Sequence, residues 1–401
     1  MRVVFVNLHG NEFLVKTLNK MIFRQSVAIK HKYFLDYLLA NPDVEVCSFI
    51  NKHGFSMSYT SADSWLRVFR FLEHKIALKK NGIDLSKVTV LKDVSEIRPD
   101  DIVILYRYYI NQLKWDTRPD AFVAVSLIHF GNYGYEELRD VVKPQAMFNE
   151  SNLQKYSAMH NHYFGWFDGD FIVQPFVFAD RFKNSKPFAE RKNKAVSVGT
   201  ITYMHNITEH YGNPCAQPAR KQIKDHASEL ADCIDCFNSD YLEDSELKSV
   251  LPTDTLVAKM YKRIYNKFHS GQQKKYYSFN MVDKFNDYKM CVVGEEIMGI
   301  PGVGFVEGMA CGCAYIGQTV GYYEDYGMKE GVHYIGYDGT LDDLKSKILY
   351  YQQPEHQQEL ELIANAGYEY VREHFNGESV ARKLLSDLQA AQQRWFQNRQ
   401  K

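Results

Sequence analysis

Short apolar runs alternate with longer segments of mixed polarity along most of the chain. Runs rich in Val, Ile and Leu, such as Ile102–Tyr106 and Phe122–His129, have the length of buried strands. Further runs of this kind are Val3–Asn7, Val44–Ile50, Ala195–Gly199, Ile234–Phe237, Met290–Val293, Ala314–Ile316 and His333–Ile335. Strands that alternate with helical segments are typical of α/β folds with mainly parallel sheets.

The segments between these strands predict helices, and one polar segment predicts a domain boundary. Helical patterns run to about Leu39, from about Pro218 to Leu230, from about Val306, and from Thr340 to the end. The basic stretch Lys183–Lys194 separates two series of strands and helices. We therefore expect two Rossmann-like domains, residues 1–188 and 189–401, that face a central cleft.

The composition disfavours some classes of protein and favours others. The 48 basic and 49 acidic residues give a formal net charge of −1, which disfavours a nucleic-acid binder. The 28 tyrosines outnumber the 25 phenylalanines, and tyrosine pairs an apolar ring with a hydroxyl that can reach sugar hydroxyls. No apolar run reaches the ~18 residues of a spanning helix. Seven scattered cysteines are typical of a reducing cytoplasm.

The stretch Gly299–Ile316 has the sequence GIPGVGFVEGMACGCAYI, which predicts a glycine-rich loop, a helix of small residues and a short strand. Gly302 and Gly304, with Val303 between them, let the backbone approach a ligand, and the amides there suit a phosphate. Glu307 falls in the first helical turn. Its carboxylate either accepts hydrogen bonds from ribose hydroxyls or only stabilises the helix start.

This stretch resembles the nucleotide-sugar signature of GT-B glycosyltransferases, E-G-x-G-x-P-x-x-E-A-M-A-x-G-x-P-V-I. The match is best over Glu307–Ile316, whereas Gly299 stands where the signature has its first Glu. In that family this Glu contacts the transferred hexose, so its absence implies an unusual donor sugar. The resemblance also implies that Ser197, Gly199 and Thr200, at the end of a strand, face the donor phosphate.

The chain as a whole resembles a narrower family, the retaining β-Kdo glycosyltransferase domain of bacterial O-antigen synthases, a modified GT-B fold. The resemblance implies CMP-β-Kdo as donor, with no metal and no further cofactor. It implies a lipid-linked O-antigen acceptor, further domains in a longer synthase chain, and a location at the cytoplasmic face of the inner membrane. Asp232 matches the family's nucleophile, which forms a covalent Kdo adduct. Arg220 and Lys221 are candidates for holding the Kdo carboxylate.

The position of Asp232 leaves an alternative open. The residue falls just before a predicted strand, whereas ligands of doubly wound sheets bind at the carboxyl ends of the strands. By that rule Asp232 is a surface residue.

On the acceptor side, His9, His129 and Glu150 are candidates for acceptor contact or general base catalysis. Tyr106, Tyr108 and Tyr109 are candidates for lining the acceptor site.

Two short motifs have simpler interpretations. Asp168–Gly169–Asp170 matches a D-x-D metal motif, but its aromatic flanks favour a hairpin turn. Cys233 and Cys236 match C-x-x-C but lead into an apolar strand, which favours buried thiols over a redox pair.

Three other functions are compatible with an α/β chain of this length. An ordinary GT-B hexosyltransferase with a UDP or GDP sugar is disfavoured by Gly299. A nicotinamide-dependent oxidoreductase is disfavoured because the first strand is not followed by G-x-G-x-x-G. A non-catalytic sugar-binding module of a polysaccharide synthase stays open.

Overall fold

A computed structural model describes residues 1–18, 21, 29–50, 66–106, 119–128, 135–241 and 280–400, with backbone only for 66–70 and 241. The chain forms two compact units. Unit 1 comprises Met1–Val177 and Asn376–Lys401, and unit 2 comprises Phe178–Phe375. The last helix thus belongs to unit 1, whereas the predicted division at 188/189 assigned it to the second half.

Both units are built on parallel sheets. The strands are β1 (Arg2–Val6), β2 (Glu45–Phe49), β3 (Val88–Leu91), β4 (Ile102–Tyr106), β5 (Phe122–Ser126), β6 (Ala146–Asn149), β7 (Asp170–Val173), β8 (Lys192–Thr202), β9 (Ile234–Tyr241), β10 (Tyr288–Val292), β11 (Ala314–Gln318) and β12 (Ile335–Tyr337). The helices are α1 (Lys32–Ala40), α2 (Leu66–Lys80), α3 (Tyr135–Glu137), α4 (Leu153–Tyr156), α5 (Ala158–Phe164), α6 (Thr208–Tyr211), α7 (Pro218–Asp225), α8 (Met281–Asp287), α9 (Gly304–Ala310), α10 (Tyr322–Asp325), α11 (Leu341–Gln352), α12 (Gln357–His374) and α13 (Gly377–Arg399).

The sheet of unit 1 has the order β3-β2-β1-β4-β5-β6-β7, and every neighbouring pair in it is parallel. This is the order of a doubly wound Rossmann sheet extended by one strand. Its strands are short apolar runs because helices cover the sheet. One core cluster joins Phe5 of β1, Phe34 of α1 and Leu384 of α13.

The sheet of unit 2 has the order β12-β11-β10-β8-β9 and is also parallel throughout. From β8 the chain moves to β9 on one side and then to β10 on the other, which is the flavodoxin-like order. Its core includes Ile223 of α7, Val292 of β10, Ile316 of β11 and Ile363 of α12. The predicted α/β class with two Rossmann-like sheets is confirmed.

The predicted helix before Leu39 differs from the structure. Residues 12–14 form turns, residues 18 and 21 are helical, and α1 covers Lys32–Ala40. The side chain of Asn11 accepts a hydrogen bond from the amide of Phe13, which forms an Asx turn, and its backbone carbonyl oxygen accepts from the amides of Leu14 and Val15. In the part of the chain that the structure describes, every helix is too short or too polar to span a bilayer.

Candidate functional site

The carboxyl ends of β8 and β10 form the switch point of the unit 2 sheet. The chain leaves β8 toward one side of the sheet and leaves β10 toward the other, so the two connections diverge there. Ligands of parallel α/β sheets bind in the crevice that this divergence opens. Gly199 and Thr200 lie near the end of β8, and Val293 directly follows β10.

Arg220 bridges the two strand ends from α7. Its Nε donates to the carbonyl oxygen of Val293, and its Nη1 donates to the carbonyl oxygen of Thr200 at 2.8 Å. The side chain is 7% exposed. Helix α7 begins at Pro218, a residue suited to a first helical position because its missing N–H needs no partner there. Two fixed bonds from one guanidinium therefore hold a positive charge at the switch point.

Two glycines leave the space that this guanidinium fills. A Cβ atom on Gly199 would lie 2.8 Å from Cζ of Arg220, and one on Gly302 would lie 2.6 Å from Nη2. Both distances are shorter than any van der Waals contact, so a side chain at either position would displace the guanidinium. The structure thus brings together three residues that the sequence marked separately.

Polar side chains on the neighbouring elements hold this arrangement. Asn238 of β9 donates through Nδ2 to Ser197 Oγ at 2.9 Å and to the carbonyl oxygen of Arg220 at 3.2 Å. Gln217 accepts from the amide of Thr202 at 2.8 Å. Sequence reasoning missed Asn238 and Gln217. Asn238 stands beside Gly199 in the β8–β9 register, which no local motif indicates.

The glycine-rich loop contacts Arg220 through Gly302 and leads into α9. Gly304 is the first residue of α9 and follows Val303, and a Cβ on Gly304 would lie 3.0 Å from Cγ1 of Val293. Glu307 lies in the first turn of this helix and is half-buried. The predicted loop, helix and strand after Gly299 are therefore present, with the loop packed on the end of β10.

Asp232 and Lys221 do not lie with this group. Asp232 is exposed in the turn before β9, and its carbonyl oxygen accepts from Gln352 Nε2 at 3.2 Å. From Ile234 to Asn238 the strand alone runs for about 13 Å, so Asp232 lies at the opposite edge of the sheet from Arg220. Lys221 forms an ion pair with Asp225 one turn along α7, which raises the pKa of Lys221.

In unit 1, His9 lies in a buried turn directly after β1. Its Nε2 is 3.9 Å from Glu73 Oε2, and its ring packs edge to face against His74, with 5.5 Å between centroids. Burial, together with the charge of Lys75, lowers the pKa of His74 to about 4. His9 therefore faces α2, and its predicted acceptor contact stays a proposal.

Glu150 is buried directly after β6, near two tyrosines of unit 1. Burial is the main cause that raises the pKa values of Tyr33 and Tyr106, and the charge of Glu150 adds to it. Tyr106 also shares a 3.0 Å hydrogen bond with His31 Nδ1. The candidates His129, Tyr108 and Tyr109 lie outside the described residues.

The predicted hairpin at Asp168–Gly169–Asp170 was wrong. Asp170 opens β7, which pairs in parallel with β6, so the preceding aromatic run is no partner strand. Asp170 forms an ion pair with Arg394 at 3.0 Å. Over the described parts of the chain, no group of three His, Cys, Asp or Glu side chains has an arrangement suited to a metal ion.

The C-x-x-C cysteines are free thiols. Cys233 is buried and Cys236 is half-buried, and no cysteine of the chain forms a disulfide. Burial raises the pKa of both thiols, so neither is a ready nucleophile.

Comparison with known proteins gives structural similarity alone. No protein-family model and no curated protein matches the chain. Among solved structures, it is similar to sucrose-phosphate synthase from Thermosynechococcus elongatus at 12% identity and a TM-score of 0.47, over 98% of this chain and 100% of that one. It is similar to Anabaena HepE in complex with UDP and glucose at 12% identity and a TM-score of 0.46, over 97% and 100%.

A third similar structure is the N-terminal domain of Candida albicans trehalose-6-phosphate phosphatase. It is 10% identical, with a TM-score of 0.49 over 97% of each chain. All three TM-scores lie below 0.5, so these similarities do not indicate the function of the chain.

Proposed function

We propose that the chain is a GT-B-like glycosyltransferase whose nucleotide-sugar donor binds at the carboxyl edge of the unit 2 sheet. The observation that carries the proposal is the guanidinium of Arg220, fixed at the switch point between Gly199 and Gly302. A guanidinium matches the geometry of a phosphate or carboxylate better than any other side chain. The resemblance of Gly299–Ile316 to the nucleotide-sugar signature supports the same edge.

The chemistry of transfer needs such a charge. When the bond from the sugar to the nucleotide breaks, its electron pair leaves with the phosphate, and negative charge develops there. A cation already held in place stabilises this charge without reorganising. The bonds from Arg220 to the carbonyl oxygens of Val293 and Thr200 fix the plane of its guanidinium.

Binding and turnover test this proposal. Calorimetry with CMP, UDP and GDP should detect one bound nucleotide, and its identity separates a CMP-sugar donor from the alternative hexosyltransferase. A chain that binds none of them would refute the proposed site. Binding without any release of nucleotide from the matching sugar donor, with acceptor supplied, would favour the non-catalytic module.

A finer proposal is that the donor is CMP-β-Kdo and the acceptor is the terminal sugar of a lipid-linked O-antigen. The overall resemblance and Gly299 in place of Glu support it. In this scheme a carboxylate oxygen of Asp232 bonds to the anomeric carbon as CMP departs. The acceptor hydroxyl then displaces Asp232 and gives its proton to a base, with net retention. Further domains of a longer chain would bring it to the cytoplasmic face of the inner membrane.

The position of Asp232 makes this scheme testable against the site at Arg220. One donor cannot reach both, because they lie at opposite edges of one sheet. Intact-mass measurement after incubation with CMP-Kdo, followed by peptide mapping, decides. An adduct on Asp232 that is lost in Asp232→Asn supports the covalent scheme. It would place the donor at the amino ends of the strands, opposite Arg220. Turnover without an adduct, retained in Asp232→Asn, leaves the donor at Arg220.

A further inference from the structure

Glu295 is a buried carboxylate next to the glycine-rich loop, and no motif in the sequence marks it. It is 4% exposed and lies three residues after β10 ends at Val292. Its Oε1 accepts from Tyr323 OH at 2.6 Å, from Tyr315 OH at 3.2 Å and from the amide of Gln318 at 2.9 Å. One oxygen atom thus ties the loop to β11 and to α10.

The two tyrosines remain protonated donors at neutral pH. Burial raises the pKa of Tyr315 and Tyr323 well above its usual range, and the charge of Glu295 raises it further. Both rings are fully buried and pack on Phe305 of α9, with centroids 5.6 and 5.4 Å away. The carboxylate is therefore anchored in a tightly packed part of the unit.

Glu295 is connected to Arg220 through two residues, Gly294 and Val293. Gly294, with φ 71°, separates Glu295 from Val293, whose carbonyl oxygen accepts from Arg220 Nε. A Cβ on Gly294 would lie 3.2 Å from Cγ of Arg220. A shift of Glu295 would therefore move the carbonyl oxygen that fixes the guanidinium.

We propose that Glu295 is a positioning residue, which sets the donor affinity by fixing the loop that holds Arg220. This inference rests on the proposed function. Stability alone does not explain why a carboxylate is buried at position 295, because Oε2 of Glu295 has no hydrogen-bond partner among the described residues. Burying a charge with one oxygen unpaired is unfavourable, and this cost offsets part of the stabilisation that the three bonds to Oε1 give.

Three variants separate positioning from a structural role. Glu295→Leu should raise the Kd for the nucleotide that the wild type binds, among CMP, UDP and GDP, about tenfold, with a smaller change in kcat. Glu295→Gln keeps the carbonyl oxygen that accepts the three bonds and should bind within about twofold of wild type. The control is Glu324→Leu, which removes an exposed carboxylate that accepts from Tyr334 OH and should leave Kd unchanged.

A double mutant tests the route through Arg220. If Glu295 acts by placing Arg220, the losses of affinity in Glu295→Leu and Arg220→Lys should not add, whereas losses of thermal stability should. Additive losses of affinity, or an unchanged Kd in Glu295→Leu, would overturn the inference. Should Glu295→Leu not fold, Tyr323→Phe removes the shortest of the three bonds and should raise Kd about threefold; an unchanged Kd there has the same meaning.

Hydrogen exchange keeps this test separate from the proposed function. Glu295→Leu, or Tyr323→Phe in its place, should speed amide exchange at residues 293–303 and 199–202, whether or not a nucleotide binds. Faster exchange in a chain that binds no nucleotide refutes the donor site but retains the coupling. Unchanged exchange at both segments refutes the coupling itself.

Discussion

Gly302 and Arg220 are in direct contact at the switch point of the unit 2 sheet, and a Cβ atom on Gly302 would lie 2.6 Å from Nη2 of Arg220. It would also lie 2.8 Å from the carbonyl oxygen of Gly294, so the new atom has backbone on one side and the guanidinium on the other. The flexible partner must move. The guanidinium of Arg220 can therefore occupy its place only because residue 302 has no side chain.

Gly302→Ala should weaken nucleotide binding about tenfold, because the displaced guanidinium no longer faces the donor. Isothermal titration calorimetry measures this. Gly212→Ala is the matched control: Gly212 has φ 63°, and a Cβ atom added there would meet nothing within 4 Å. It should lower stability by about 1 kcal/mol through backbone strain and leave the affinity unchanged. Equal affinities for the two variants would contradict the steric account.

Arg220→Lys should raise the Kd for the nucleotide about tenfold or more, because an ammonium cannot keep the two bonds to Val293 and Thr200 and also present a planar face. Lys221→Gln removes a neighbouring charge that is 40% exposed and paired with Asp225. It should bind within about twofold of wild type. A larger loss in Lys221→Gln than in Arg220→Lys would place the anion on the other face of α7.

The buried His74 predicts a stability that falls in acid. Its pKa is lowered from 6.5 to about 4 in the folded chain, so the unfolded chain binds more protons between these values. Stability is therefore complete above pH 6.5 and is lost as the pH falls toward 4, by up to about 3 kcal/mol. Urea unfolding at pH 7 and pH 5 should show the loss. His160, with its pKa also lowered to about 4, acts in the same direction.

His74→Leu should reduce this pH dependence by about half, because His160 retains its share. The control is His226→Gln, at a side chain that is 48% exposed. It should leave the pH dependence as in wild type. An undiminished loss between pH 7 and pH 5 in His74→Leu would show that His74 does not carry it.

Local patterns predicted most strands of both sheets, but no run was predicted for β3 or β6. Ile102–Tyr106 matches β4 as predicted, whereas the run to His129 extends past β5, which ends at Ser126. Apolar content alone does not mark where hydrogen bonding between strands stops. The hairpin predicted at Asp168–Gly169–Asp170 was wrong because β7 pairs with β6, some twenty residues earlier in the chain, and not with the adjacent aromatic run.

The site was predictable only in its parts. Gly302 and Gly199 are recognisable as candidates because a glycine near a strand end lets the backbone approach another group closely. Their common partner, Arg220, lies on a helix between them in sequence, and only the order of the strands brings the three together. Asn238 and Glu295 act through register and through tyrosines on other elements, so no local spacing indicates them. The position of α13 in unit 1 is likewise a long-range packing result.

The location of the bound donor tests the central claim most directly. Hydrogen exchange of the wild-type chain, with and without saturating nucleotide, reports which amides become protected. The site at Arg220 predicts protection at residues 199–202 and 293–304, and none at residues 229–233. Protection confined to residues 229–233, around Asp232, would contradict it and place the donor at the amino edge of the sheet.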